Sequence, residues 1–112
     1  MLPRSHRLNL KKDFKWVAAG KKIETKFLKL FIKTGDNTLP RIGIAVSAKV
    51  LKNATDRNRA KRLISQAFQS TYYQLPITIN IVALPKSGVI KVKSDEVSKD
   101  LESALKNEKI IS

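Results

Sequence analysis

Residues 63–85 form an uncharged stretch of 23 residues in a chain of which 29% is Asp, Glu, Lys or Arg. The first part continues a helical pattern, because apolar residues recur there at i, i+3, i+4 and i+7. That apolar set is Ala60, Leu63, Ile64, Ala67, Phe68, Thr71 and Tyr72. The last part, residues 77–84, is rich in Ile, Val and Leu and predicts a well-buried strand. A chain of 112 residues has room for one such core, so we expect a single domain spanning residues 1–112.

The N-terminal part of the chain predicts an arm followed by a short helix. Residues 1–8 show no period and contain Pro3, which indicates an irregular basic arm. Apolar residues then recur at the spacing of one helical face, with Asn9 as the candidate N-cap and Gly20 just after the end. These residues are Leu10, Phe14, Val17 and Ala18.

The remaining elements follow from alternation and capping. Residues 23–33 and 41–47 alternate around a turn region that contains Gly35 and Pro40, which predicts antiparallel strands. Asn53 or Thr55 would cap the central helix. Ser94 would cap a last helix, with acidic residues in its first turn. The predicted order is helix, strands, helix, strand, helix, which is an α+β arrangement.

Positive charge is concentrated in one part of the chain. The formal net charge is +14, and residues 1–62 hold 17 of the 23 Lys and Arg residues but only four of the nine acids. A field of one sign repels itself unless a polyanion relieves it, so nucleic acid is the expected partner. A solvated basic face and an anionic lipid surface are the alternatives.

Composition removes several function classes. The chain has no Cys, which excludes disulfide scaffolds, thiolate zinc sites and cysteine nucleophiles. Its single histidine, His6, cannot form a histidine cluster and is expected to be an exposed residue of the arm. No apolar run is long enough to span a bilayer, and the N-terminus does not resemble a secretion signal. We therefore expect a cytoplasmic protein without a membrane segment.

The central helix carries a dense set of polar side chains opposite its apolar face. A step of 100° per residue points Asn58, Arg62, Ser65 and Gln69 away from the core, with Arg57, Arg59 and Lys61 at the flanks. Cations at this density repel one another unless phosphates accept them. Arg, Lys and Asn together are suited to folded RNA, through phosphate, base and 2′-hydroxyl contacts.

Residues 57–62, Arg-Asn-Arg-Ala-Lys-Arg, resemble the Arg-Asn-Arg signature of the bacterial ribonuclease P protein component. Residues 2–8 resemble the basic arm of that family, Asp13-Phe14 resembles its first helix, and residues 40–47 resemble the strand that enters the signature. The resemblance covers nearly all of the chain to residue 84. Departures are Ala48, where the family often has Lys, and Ala18, where many members have a second aromatic residue.

The resemblance implies a small two-layer α/β sandwich, with a mixed, mostly antiparallel sheet and a left-handed strand–helix–strand crossover, like the second domain of ribosomal protein S5. It also implies a subunit of the ribonucleoprotein that removes the 5′ leader of precursor tRNA. The partners would be the catalytic ribonuclease P RNA and precursor tRNA, and the free protein would be monomeric. The RNA and its Mg²⁺ ions would perform the hydrolysis, with no catalytic or metal-binding residue on the protein. A noncatalytic RNA-binding module, such as a ribosomal protein, is the alternative, and a protein-only nuclease is a remote third.

The resemblance also implies two sets of binding residues. The residues expected to bind the catalytic RNA are Arg57, Asn58, Arg59, Lys61, Arg62, Lys49, Lys52, Arg4 and Arg7. The residues expected to line a cleft for the leader are Phe14, Leu28, Leu30, Ala45 and Ser47. Alternation alone favours the opposite face of the strand, with Phe27, Lys29, Phe31 and Lys33, as the RNA platform. We follow the resemblance and expect Phe27 and Phe31 to pack under the central helix.

Overall fold

The computed structural model describes residues 3–111, which contain three α-helices and four β-strands. In chain order these are α1 (Leu10–Ala18), β1 (Lys21–Glu24), β2 (Leu28–Thr34), β3 (Arg41–Ile44), α2 (Ala54–Thr71), β4 (Ile79–Pro85) and α3 (Ser94–Asn107). Short 3-10 turns occupy Arg4–His6, Tyr72–Gln74 and Ser87–Lys91. The seven apolar positions predicted for the central helix are all buried, so its inner face is confirmed.

The sheet has the strand order β1-β2-β4-β3. β1 and β4 both pair antiparallel with β2, whereas β3 pairs parallel with β4. The prediction of one strand over residues 23–33 is wrong, because residues 25–27 form a turn that splits it into the β1–β2 hairpin. β2 and β3 run in opposite directions, as predicted, but they do not pair, because the apolar strand β4 lies between them.

The connection from β3 through α2 to β4 is a left-handed crossover, as the resemblance implied. Ala83 of β4 directs its side chain into the core beneath α2, and its carbonyl accepts a hydrogen bond from the Ala45 amide at 3.0 Å. In a strand that runs upward, an L-residue whose side chain faces the viewer points its carbonyl to the right. Seen from α2, β3 therefore lies to the right of β4, and the chain crosses from right to left. About 98% of such connections have the opposite hand.

The two faces of the sheet are covered differently. Leu28 and Leu30, both 0% exposed, pack with α2 and α3 in the main core. Phe31 lies on the other face, in a smaller cluster with Phe14 of α1 and with Val82. The expectation that Leu28 and Leu30 line a cleft beside Phe14 is therefore wrong. The expectation that Phe31 packs under α2 is wrong as well. The two longest helices, α2 and α3, cover the face of β2 that carries only aliphatic side chains. The other face of β2 carries lysines, whose charges must stay in water.

The N-terminal arm packs on the molecule from residue 3 onward, while Met1 and Leu2 of the predicted arm lie outside the described residues. The Leu8 amide donates to the Ile42 carbonyl at 3.0 Å, and the Leu8 side chain is buried. The arm therefore contacts β3 through one isolated bridge, between Arg7 and Ile42, and its described residues form no strand of their own. Ser65, expected to point outward, is only 2% exposed and lies beside this segment.

His6 anchors the arm at the C-terminal end of α2, which corrects its expected exposure. Its ring stacks on Tyr72 with centroids 3.9 Å apart and planes inclined by 9°. The Tyr72 hydroxyl donates to the Pro40 carbonyl at 2.7 Å. Burial, and secondarily the neighbouring Tyr73, raise the pKa of Tyr72, so its hydroxyl remains a donor.

The start of α3 also differs from the prediction. Lys93, not Ser94, is the N-cap residue, and its amide donates to the Glu96 carboxylate at 3.3 Å. Further along α3, the Asp100 carboxylate accepts from Thr25 Oγ1 at 2.6 Å and from the Phe27 amide at 3.0 Å. Asp100 thereby attaches α3 to the turn of the β1–β2 hairpin, a role that no sequence pattern indicated.

We expect Asp100→Ala to lower the free energy of unfolding by about 1.5 to 3 kcal/mol, because it leaves the turn amides without a charged acceptor. Urea denaturation measures the change. Asp95→Ala is the matched control, since Asp95 is exposed in the first turn of the same helix and its loss should cost less than about 1 kcal/mol. Equal losses from the two variants would contradict the role of Asp100.

Candidate nucleic-acid interface

The first turns of α2 present a basic face with two kinds of side chain. Asn58, Lys61 and Arg62 are exposed to solvent. Arg57 instead donates from Nη1 to the carbonyls of residues 51 and 52, at 2.9 and 2.8 Å. Arg59 donates from Nε to the Ile90 carbonyl at 3.2 Å and from Nη2 to the Val92 carbonyl at 3.4 Å. Five residues predicted to bind RNA thus lie together, but two of them also contact protein backbone.

The loop between β3 and α2 adds two further cations to this face. Lys49 and Lys52 are both exposed there. The loop is closed by Ser47, whose carbonyl accepts from the Leu51 amide at 3.0 Å and whose hydroxyl accepts from the Lys49 amide at 3.1 Å. Both predicted lysines are therefore held close to the N-terminal end of α2.

The arm extends the basic face along α2. Arg7 and Lys61 line the same hollow of about 210 Å³, which is floored by Ile42 and Gly43 of β3. Arg4 is exposed in the turn that His6 attaches to Tyr72, near the C-terminal end of the helix. The predicted cations of the arm therefore flank α2 along its length.

Few acids offset these charges. Among residues 3–111, the ion pairs join Lys21 to Glu108, Lys29 to Glu24 and Lys106 to Glu102, all away from α2. Asp56, in the first turn of α2, accepts from Asn53 Nδ2 at 3.3 Å and stabilises the start of the helix. The exposed cations of α2 and its preceding loop are thus available to an anionic partner.

A cleft of about 440 Å³ lies on the sheet face that α1 leaves partly open. Its lining combines Phe31 and small or aliphatic residues with a rim of lysines. The lining residues are Lys22, Lys29, Phe31, Ala45, Ser47, Val50, Leu84, Pro85, Lys86 and Ser87. Of the predicted cleft residues, Ala45 and Ser47 lie here and Phe14 borders the same apolar cluster, whereas Leu28 and Leu30 lie behind the sheet. The alternation of Lys29 and Phe31 was the signal that located Phe31.

Gly43 allows α1 to lie close to the sheet beside this cleft. A Cβ atom at Gly43 would lie 2.6 Å from Cδ2 of Leu10, which is closer than such atoms approach. At the rim, Lys86 Nζ donates to the Thr25 carbonyl at 2.7 Å, and Lys29 Nζ lies 3.9 Å from the Glu24 carboxylate. Lys22 completes the rim and is exposed.

Trp16 lies on the side of α1 away from its apolar face and is 41% exposed. Lys33 Nζ lies 4.9 Å from the centroid of its ring, and a Cβ atom at Gly35 would touch the ring edge at 2.8 Å. Trp16 is thus partly covered by the end of β2 and is not part of the cleft lining.

Within residues 3–111, no three His, Asp or Glu side chains are grouped so that they could hold a metal ion. No helix in that range is both long and apolar enough to cross a bilayer.

Comparisons with known proteins agree along nearly the whole chain. A model of the family described as ribonuclease P matches residues 2–109. The ribonuclease P protein component of Pseudanabaena sp. strain PCC 6903 is 36% identical over 113 residues, which cover 99% of this chain and 97% of that protein. The same component of Pseudoalteromonas atlantica is 40% identical over 70 residues, or 62% of this chain and 58% of the relative. A solved structure of the Thermotoga maritima RNase P protein, in complex with 1-(4-fluorophenyl)-2-thiourea, superposes with a TM-score of 0.79 at 27% identity, covering 89% and 97% of the two chains.

Proposed function

The chain belongs to the ribonuclease P protein family, and we propose that it binds the catalytic RNA and the 5′ leader of precursor tRNA in the cytoplasm to promote 5′ maturation. The noncatalytic RNA-binding alternative is not favoured, because the relatives matched along the chain are ribonuclease P protein components.

The exposed basic side chains of α2 are the observation that carries the RNA-binding part of the proposal. Lys61 and Arg62 extend from a helix whose other face is buried, so they can contact phosphates without disturbing the core. Asn58 lies beside them and can donate or accept at a base edge or a 2′-hydroxyl. We assign this face, with Lys49, Lys52, Arg4 and Arg7 around it, to the catalytic RNA.

The cleft on the other side of the sheet suits a single-stranded leader. Phe31 in the cleft and Phe14 in the apolar cluster beside it are half-buried aromatic residues on which bases can stack. Lys22 and Lys29 at the rim can hold the phosphates between the bases. Single strands are bound in this manner with little dependence on sequence. Ala45 and Ser47 leave room for the backbone of the leader.

We assign the hydrolysis to the RNA and to Mg²⁺ ions bound by the RNA and the substrate. The described residues do not form a metal-binding set. Several carboxylates have other partners within the fold, since Asp100 binds the β1–β2 turn and Glu96 binds the N-cap amide of α3. The protein's part is to position RNA and leader, which contributes to rate by orienting the scissile bond.

A reconstitution experiment tests the proposal. The purified chain is assayed on precursor tRNA with and without ribonuclease P RNA, at a low Mg²⁺ concentration. We expect cleavage at the 5′ end only when the RNA is present, and faster cleavage when the protein is added. Cleavage by protein alone would identify a protein nuclease, and an absence of any effect on the RNA reaction would contradict the proposal.

We expect Phe14→Ala to weaken binding of precursor tRNA with a leader of several nucleotides by about 1 to 3 kcal/mol, because a stacked base loses its partner. Binding of mature tRNA by the holoenzyme should scarcely change. Trp16→Ala is the matched control, since Trp16 lies on the same helix but on the side away from the apolar cluster that contains Phe14 and Phe31. A loss that is the same for mature and precursor tRNA would remove Phe14 from the leader site.

A further inference from the structure

The loop that precedes α2 is held in place by one side chain of the helix. A single nitrogen of Arg57, Nη1, lies 2.9 Å from the Leu51 carbonyl and 2.8 Å from the Lys52 carbonyl. The Leu51 side chain is buried in the main core, so these bonds join a fixed point of the chain to the helix. Arg57 itself is only partly exposed, unlike Asn58 and Lys61.

This loop contributes to both proposed binding surfaces. Ser47 and Val50 line the cleft, whereas Lys49 and Lys52 extend the basic face of α2. The two hydrogen bonds of Arg57 therefore attach to α2 a loop that carries residues of both surfaces.

Arg59 makes the corresponding attachment on the other side of α2. Its Nε and Nη2 donate to the carbonyls of Ile90 and Val92, more than 30 residues away in sequence. These carbonyls lie in and just after the turn that begins at Ser87, which is also a residue of the cleft lining. Two backbone segments that contribute to the cleft lining are therefore hydrogen-bonded to arginines of the same helix.

We propose that Arg57 and Arg59 are positioning residues, which attach two segments of the cleft lining to α2, and that Lys61 and Arg62 contact phosphates of the RNA. The guanidinium group suits this role because it remains charged and presents several donors in a rigid plane, so that one side chain can bond two carbonyls. The inference rests on the proposed function for the identity of the bound RNA, but the attachment itself is a property of the free protein.

The first test therefore uses the free protein. Arg57→Met and Arg59→Met keep an aliphatic stem and remove the donors, and Lys61→Met is the control that removes one charge from the same helix. Amide hydrogen exchange is followed by mass spectrometry. We expect about tenfold faster exchange at Val50 and Leu51 in the first variant and at Val89 in the second, with no change in the control. The exchange rates of the β4 amides are the internal reference, since global unfolding would raise those rates as well.

The second test measures binding to ribonuclease P RNA against salt. Each phosphate contact contributes about −0.7 to −0.9 to the slope of log affinity against log salt. We expect Lys61→Met to reduce the magnitude of the slope by that amount. Arg57→Met and Arg59→Met should weaken binding of leader-bearing precursor tRNA by the holoenzyme about tenfold and leave the RNA slope unchanged.

Two results would overturn the inference: unchanged exchange in the arginine variants, or a slope reduced in them as much as in Lys61→Met. Either would show that the arginines act as phosphate ligands or have no effect. A failure of the proposed function would look different. The unmodified protein would then lack salt-dependent RNA binding, while the exchange experiment would still test the arginine attachments in the free protein.

Discussion

Replacing Leu30 with alanine should lower the free energy of unfolding by about 2 to 5 kcal/mol, because the side chain is fully buried beneath α2 and α3 and its removal leaves a cavity. Phe31→Ala, one position along the same strand, should cost only about 1 to 2 kcal/mol despite the larger side chain, since Phe31 is half-buried on the open face. Urea denaturation of the two variants measures the difference.

The same pair distinguishes the two faces by function. Phe31→Ala should reduce leader-dependent binding of precursor tRNA, whereas folded Leu30→Ala should not. If Leu30→Ala selectively weakened leader binding while Phe31→Ala only destabilised the fold, the assignment of the cleft to the face of α1 would be reversed.

RNA affinity should fall on the order of 10²- to 10³-fold between 50 and 200 mM salt if about six phosphates are contacted. The cause is that the exposed cations of α2, its preceding loop and the arm displace counterions condensed on the RNA. Lys99→Ala with Lys106→Ala is the matched control, because these lysines lie on α3 among acids, and their loss should not change the slope. A flat response in the unmodified protein would contradict the basic interface.

The helices were predictable because their periodic patterns are long. The apolar face of α2 extends from Ala60 to Tyr72, which is about three and a half turns. Asn9 caps α1 as predicted, with its side chain accepting from the Lys12 amide at 3.3 Å. The β1–β2 hairpin was not predictable from alternation, since residues 25–27 do not interrupt the apolar pattern. Its turn is stabilised by Asp100, which is more than 70 residues away in sequence.

The residue types of the candidate site were predicted, but some of its residues were assigned to the wrong face of the sheet. Alternation shows which residues of β2 share a face, but not which face the helices cover. The resemblance, aligned on this strand, selected the Leu30 side. A shift of one residue in a strand moves every side chain to the opposite face, so a small error of alignment has this effect. The signature was located correctly, yet the backbone contacts of Arg57 and Arg59 depend on loops that no local pattern specifies.

The order of strands has a consequence for synthesis of the protein. β4 lies between β2 and β3, although it is the last of the four strands along the chain. When a ribosome has made only the first 78 residues, β3 has no neighbouring strand and α2 has no complete sheet beneath it. Contacts between distant parts of a chain form slowly. The nascent basic helix therefore leaves the ribosome, itself rich in RNA phosphates, before the fold can bury its apolar face.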